Sequence, residues 1–411
     1  MNAILEPQPR RRRIYLDANA TTPVLPEVLA AMQPFWMERF GNPSSAHAGG
    51  QTTRAAVEHA RASVASLLGC SAREVVFTSG GTEGDNAALI GVLQPYLDRR
   101  EPAHLITTAI EHHAVLYAAE AFERRGGQVT YLQPNGDGVV SPNDLERSIK
   151  PETKLLSVMF ANNETGAIQP LDELARLAKA RGILVHTDAV QTAAKLPIDL
   201  AGELRNVDLL TISGHKMYAP QGTGALFVRK GVELAPLLYG GPQERQRRAG
   251  TENVPGIVGL GCAAEAARQW FAGDGPAALR KLRDRLETEL LGSIQGSTVN
   301  AAGIPRMDNT CNLNIEGIDA ERLLIALDLQ GVSASFGAAC QSGATETSHV
   351  LLAMGLTATE ARGCLRLSLS RLTTADEIDA ALEIIPAAVA RLRSLGANAK
   401  AAPKDGLALQ S

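Results

Sequence analysis

The sequence predicts an α/β protein built on a mostly parallel, seven-stranded sheet sandwiched by helices, with a smaller α+β domain after it. Three observations carry this expectation. Short apolar, β-branched runs recur from Glu74 to Val228, and helical stretches separate most of them. Polar or glycine-rich breaks follow the runs directly. Alternation of this kind builds βαβ units whose sheet is covered on both faces. At 411 residues, 45% hydrophobic and 20% charged, the chain can bury a sizeable core and suits two domains.

In chain order, Pro26 to Phe40 reads as a helix with Val28, Leu29, Met32, Phe35 and Trp36 on one side, and Gln51 to Leu68 as a longer one. The expected strands are Glu74–Thr78, His104–Thr108, Gln128–Leu132, Leu155–Phe160, Ile183–Thr187, Asp208–Ile212 and Gly224–Val228. Helices at Asp85–Leu97, Ala114–Arg124, Pro142–Ile149 and Leu171–Ala180 lie between them. Near residue 260 the character changes. Helices at Pro255–Trp270, Leu279–Ile294, Asp319–Gln330 and Ala375–Leu395 surround strands at Asn309–Ile315, Val332–Ser335 and Leu365–Leu369. The expected domains are therefore 14–262 (its segment 14–30 able to pack with the smaller unit) and 263–395, with tails at 1–13 and 396–411.

A net charge of −4 gives no overall attraction for nucleic acid or anionic membrane, and the Arg10–Arg13 run reads as a solvated arm. Five cysteines without a C-x-x-C pair fit neither a disulfide framework nor a zinc site. With no secretory-type segment and no membrane-length apolar run, the expected location is the cytoplasm. Cys262, Cys311 and Cys364 sit in apolar contexts and read as packing residues, and Cys70 has no motif.

Polar residues cluster where strands end, the rim at which open α/β sheets bind ligands. Phe77-Thr-Ser-Gly-Gly-Thr-Glu83 runs through a glycine turn into a helix, so Gly81 and Thr82 form either a phosphate seat or a plain tight turn. Ser213 and His215 could donate to the same anion. Asp188, ending an apolar strand, is either a helix N-cap or the partner of a buried cation such as a protonated pyridine. Lys216 follows another strand. It is an ordinary surface lysine or, if it sheds a proton, a Schiff-base amine. His112 could move protons over a ring, and Asn163 adds an amide. A phosphate seat, a pyridinium partner, an imidazole, an amide and an amine at five strand ends together point to pyridoxal 5'-phosphate (PLP).

Tyr15-Leu-Asp-Ala-Asn-Ala-Thr-Thr-Pro23, Gly41-Asn-Pro-Ser-Ser45, Glu111-His112, Asn162-Asn-Glu164, His186-Thr-Asp-Ala-Val-Gln191, Ser213-Gly-His-Lys216, Gly250-Thr-Glu252, Gly337-Ala-Ala-Cys340 and Arg366-Leu-Ser-Leu-Ser370 complete a pattern. With it the chain resembles the cysteine desulfurases of the iron–sulfur-cluster type, class V aminotransferase-like enzymes of PLP fold type I, from Ile14 to about Leu395. The resemblance implies that Lys216 holds PLP as a Schiff base, Asp188 pairs with the ring nitrogen, Gln191 reaches the phenolic oxygen and His112 stacks on the ring with Asn163 beside it. Gly81, Thr82, Ser213 and His215 would hold the phosphate, joined by Thr251 from the partner in a homodimer. Arg366 would clamp the substrate carboxylate.

Cys340 would be the nucleophile, taking sulfur from L-cysteine as a persulfide and leaving L-alanine. Lys216, helped by His112, would move the Cα proton. Sulfur would pass to an acceptor protein such as an iron–sulfur scaffold or a tRNA-thiolation relay, with Cys340 able to coordinate a cluster during transfer. The family pattern usually reads Gly-Ser-Ala-Cys; here Ala338 replaces the serine. Selenocysteine lyase, PLP aminotransferase and an inactive PLP-fold scaffold are the alternative readings.

Overall fold

The structure, a computed structural model, describes residues 13–336 and 347–401. Cys340, Arg10 to Arg12 and residues 402–411 lie outside the described residues. The strands in chain order are β1 (Ile14–Tyr15), β2 (Val75–Thr78), β3 (His104–Thr108), β4 (Gln128–Leu132), β5 (Thr153–Ser157), β6 (Leu184–Asp188), β7 (Leu209–Ser213), β8 (Gly224–Val228), β9 (Ser297–Val299), β10 (Thr310–Ile315), β11 (Val332–Ser333) and β12 (Cys364–Ser368).

The large sheet has seven strands in the order β2-β8-β7-β6-β5-β3-β4. Only β8 runs against its neighbours; the other pairings are parallel. Consequently β2, β3, β5, β6 and β7 all present their carboxyl ends along one rim. Successive side chains of a strand face opposite sides, and the two cores follow that rule. Ile106, Leu156, Val185, Leu210 and Phe227 pack on one face, against the helices Ala48–Leu68 and Val254–Ala272. Their neighbours Leu105, Leu155, Leu209, Leu226 and Val228 pack on the other, against Gly81–Asp98 and His113–Arg124. Each such side chain, fully buried, contributes about 1.5–3 kcal/mol.

A smaller antiparallel sheet, β12-β10-β9, forms a separate core with Leu16, Leu286, Leu290, Leu323, Ile378 and Ile385. The N-terminal segment joins the two units. β1 pairs with β11, Ala18 N–H donates to Ser368 O, and Thr22 N–H then donates to His215 O at the rim of the large sheet. That crossing carries Asn19 and Ala20 over the strand ends.

Several boundaries differ from expectation for identifiable reasons. The Pro26–Phe40 helix is two helices, Pro26–Met32 and Pro34–Met37, because Pro34 cannot continue the ladder and starts a new first turn. The break re-aims the side chains. Phe35 is buried, whereas Leu29 and Trp36 are exposed rather than on the core face. The helix Val254–Ala272 runs unbroken through the expected 262/263 boundary and sends Ala263, Ala264 and Ala267 into the large core. The last helix continues from Ala375 to Ala401. Among the described residues, no helix is long and apolar enough to cross a membrane.

Candidate active site

A cavity of about 340 Å³ opens at the carboxyl rim. Gly81, Thr82, His112, Asn163, Asp188, Gln191, Ser213, His215, Lys216 and Arg366 all line it. Residues spread over more than 280 positions of chain thus meet because each follows, ends or faces a strand of the two sheets. Thr251 does not join them. It is exposed, beside a groove formed with Phe35, Trp36 and Phe40.

Lys216 closes the short 3₁₀ turn Gly214–Lys216 that stops β7. Only glycine fits at 214, where a Cβ would lie 2.5 Å from Thr223 Oγ1 and 3.0 Å from Pro220 O. The Lys216 amine donates to the carbonyl oxygens of Asn19 and, at 2.7 Å, Ala20. His215 contacts Thr21 Oγ1 through Nδ1 at 3.2 Å; burial and the nearby Lys216 push its pKa down to about 4.

The helix Gly81–Asp98 starts at this cavity without a side-chain cap. Its first-turn N–H groups have no intrahelical acceptors and carry the positive end of the helix dipole, a ready seat for an anion. A Cβ at Gly81 would fall 2.8 Å from Val190 Cγ2, so the turn tolerates no larger residue without a shift.

Asp188 ends β6, buried, with its Oδ1 accepting from Val190 N–H at 2.8 Å. Burial raises its pKa, opposed by that N–H and by Lys216. Asp85, on the phosphate-seat helix, is 1% exposed, and its Oδ1 has no hydrogen-bond partner. It lies 3.6 Å from His186 Nε2. That ring bonds Ser157 and Thr211 instead, and burial lowers its pKa to about 3, so it supplies no positive charge. Glu111 is also buried. Its Oε1 accepts from Thr108 Oγ1 and Met159 N–H, both at 2.8 Å, while Oε2 is unpartnered and burial raises its pKa to about 8. Burial holds all three carboxyl groups above their ordinary pKa values, and a bound cation such as a protonated pyridine ring would draw Asp188, already braced by Val190 N–H, into its ionised form.

His112 caps the helix His113–Arg124. Its Nδ1 accepts from Ala114 N–H at 3.1 Å, which places the proton of the neutral ring on Nε2. Burial, then Lys216, holds its pKa near 4, so the ring is neutral at working pH. Arg366, 2% exposed on β12, donates to Asp17 Oδ1 at 2.8 Å and Asn163 O at 3.2 Å. Its Nε is buried without a hydrogen-bond partner, and the residue lines the cavity. An uncapped helix start, a rim lysine, an acidic patch and an arginine match the phosphate, carbonyl and pyridine of PLP and the carboxylate of an amino acid.

Sequence reasoning assigned no role to Asn19, Asp85, Glu111, Glu164 or His349, although Asn19, Glu111 and Glu164 lie in motifs it singled out. Asn19 is the junction. Its Nδ2 donates to Asn163 O and Thr310 Oγ1, its Oδ1 accepts from Asn309 Nδ2, and its carbonyl accepts from Gln191 Nε2. Glu164 is buried, accepts from Ser348 Oγ at 2.5 Å and has an unpartnered Oε1. The four described cysteines are poor thiolates: burial raises Cys364 to about 11 and Cys70 to about 12, and raises Cys262 and Cys311 as well.

Residues 14–381 match the aminotransferase class-V family. A cysteine desulfurase of Trichormus azollae is 49% identical over 93% of this chain and 94% of its own length. The cysteine desulfurase IscS of Methanosarcina thermophila is 47% identical over the same shares. Among solved structures, a NifS-like protein superposes with a TM-score of 0.85 at 37% identity, covering 92% of this chain and all of that one.

Proposed function

Because the chain belongs to the aminotransferase class-V family, among its cysteine desulfurases, we propose that it withdraws sulfur from L-cysteine, releasing L-alanine and leaving a persulfide on Cys340. It is a PLP-dependent enzyme. The observation that carries the reading is the convergence of Lys216, Asp188, His112 and Arg366 on one cavity that an uncapped helix start also lines.

Bound there, PLP supplies an electron-poor ring that stabilises negative charge at the substrate Cα. Asp188 would hold the ring nitrogen, Gly81, Thr82, Ser213 and His215 the phosphate, Gln191 the phenolic oxygen, and Lys216 the carbonyl carbon. Arg366, its guanidinium braced by Asp17 and Asn163, would receive the substrate carboxylate. The Lys216 amine would take the Cα proton, and neutral His112 would offer its Nε2–H to the substrate as a hydrogen-bond donor. Cys340 attacks the substrate sulfur as a thiolate. The bond between that sulfur and Cβ breaks, its electron pair stays with carbon and is protonated, and the new S–S bond remains on Cys340.

Exposed Trp36 and Phe40 beside Thr251, with exposed Leu29 and Met37 in the same pair of helices, support a homodimer in which Thr251 reaches the partner's phosphate. We assign the persulfide to a cytoplasmic acceptor, an iron–sulfur scaffold or a thiolation relay, with Cys340 a ligand to the cluster during hand-over. We read the chain as two units, a large one built on the seven-stranded sheet that includes the helix Val254–Ala272, and a small one that follows it. Incubation with L-cysteine and a thiol should release alanine and sulfide in equal amounts without a keto acid. Alanine formation that requires a keto-acid co-substrate, or turnover confined to L-selenocysteine, would overturn the reading in favour of an aminotransferase or a selenocysteine lyase.

A further inference from the structure

Lys195 is a second lysine of the site, and no role above uses it. Its side chain is 6% exposed. Its Nζ donates to Gln191 Oε1 at 2.9 Å and approaches Asn19 Oδ1 at 3.5 Å; among the described residues it has no carboxylate partner. The charged groups acting on it, Lys216 and Arg366, are both cationic, and with burial they lower its pKa far below that of a free lysine. A buried amine without a counter-ion costs several kcal/mol relative to an apolar side chain of the same length. Backbone geometry adds to this. Ala194, buried and non-glycine, has φ 61°, a left-handed conformation that residues with a Cβ rarely adopt. It immediately precedes Lys195 in the turn that follows Asp188.

What this arrangement holds is the Gln191 amide. Its two ends differ chemically, the carbonyl accepting and the NH₂ donating, yet they are nearly equal in size. With Lys195 on Oε1, Nε2 is the end that gives one hydrogen to Asn19 O at 2.9 Å and keeps the other for the cavity that Gln191 lines. A flipped amide would set its oxygen against a phenolate.

We infer that Lys195 is a positioning residue, a buried amine that fixes the orientation of the Gln191 amide so that its N–H faces the phenolic oxygen of PLP. The inference rests on the assignment of Gln191 to that oxygen. Asp188, Lys216, His112, His215 and Arg366 also line that cavity, so the test compares variants that leave all five in place.

Holoenzymes carrying Lys195→Met, Gln191→Ala and both changes are titrated by the visible absorbance of bound PLP. An N–H donated to the phenolate favours the deprotonated form, so its loss should move the midpoint up by about one pH unit, tenfold in the equilibrium. Lys195→Met should shift the midpoint as Gln191→Ala does, and the double variant no further. Lys195→Gln, whose amide can still donate, should restore much of the original value. If methionine fails to pack, Lys195→Ala takes its place in the same cycle. A shift in Gln191→Ala with none in Lys195→Met, or additive shifts, overturns the inference. No shift in Gln191→Ala would instead remove the Gln191 assignment beneath it.

Discussion

Replacing Asp188 with asparagine tests the electrostatic centre of the site. The change is nearly isosteric, and the amide oxygen can still accept the Val190 N–H that Oδ1 accepts at 2.8 Å. The strand end should therefore keep its shape. What disappears is a carboxylate that is 7% exposed and that pays for its burial only when a cation comes to it. Breaking a buried ion pair costs about 3–5 kcal/mol. If most of that is felt while charge builds at the substrate Cα, at about 1.4 kcal/mol per factor of ten, turnover should fall by roughly 10² to 10³-fold. Asp85 and Glu111 do not substitute. Burial raises the pKa of both and keeps them from ionising freely. The assay is alanine release from L-cysteine at saturating PLP, with bound cofactor quantified by absorbance. Turnover within threefold of the parent enzyme, with cofactor fully bound, would refute the claim that this carboxylate drives the ring.

Two further outcomes follow from individual side chains. Burial lifts the Glu111 carboxyl to about 8, while in the unfolded chain it titrates near the ordinary value of about 4.3. The folded state thus holds a proton that the unfolded state gives up. The stabilisation is complete below the ordinary value and is lost as pH rises through about 8, at about 1.4 kcal/mol per pH unit. Glu111→Gln should flatten that decline in urea unfolding of the cofactor-free protein between pH 5 and 8; parallel curves for variant and parent would contradict it. Arg366→Lys keeps the charge but cannot span Asp17, Asn163 and a substrate carboxylate at once. Losing charge-assisted hydrogen bonds worth about 1.5–3 kcal/mol should raise KM for L-cysteine roughly 10- to 100-fold with the cofactor spectrum unchanged, and an unaltered KM would remove Arg366 from substrate binding.

The large sheet was legible because its strands are short, apolar and punctuated, and because a polar residue at a strand end stays near that end in three dimensions. Lys216, Asp188 and His112 were singled out this way, and all three line the cavity. Arg366 came from the family resemblance, because a strand pattern gives no hint that β12 of the smaller sheet faces the cavity. The missed residues share a different cause. Asp85 lies inside a helix, Lys195 in an irregular turn, and Asn19 on a crossing between two sheets, so each reaches the site through long-range packing. The Pro26–Phe40 helix failed for a local reason, a proline that the hydrophobic spacing overrode. Thr251, expected to reach the phosphate of a partner subunit, stands beside an exposed aromatic groove, where a second copy of the chain would have to meet it.

Cys340 decides between sulfur transfer and ordinary amine chemistry, so the most direct measurement is alanine release by Cys340→Ser. Lys216 and Asp188 are untouched in that variant, and the visible absorbance of bound PLP should be retained in full. Alanine release from L-cysteine should fall below one turnover per site, and no persulfide should be trapped by an alkylating reagent. Alanine and sulfide released at the parent rate by Cys340→Ser would contradict the assignment of the nucleophile.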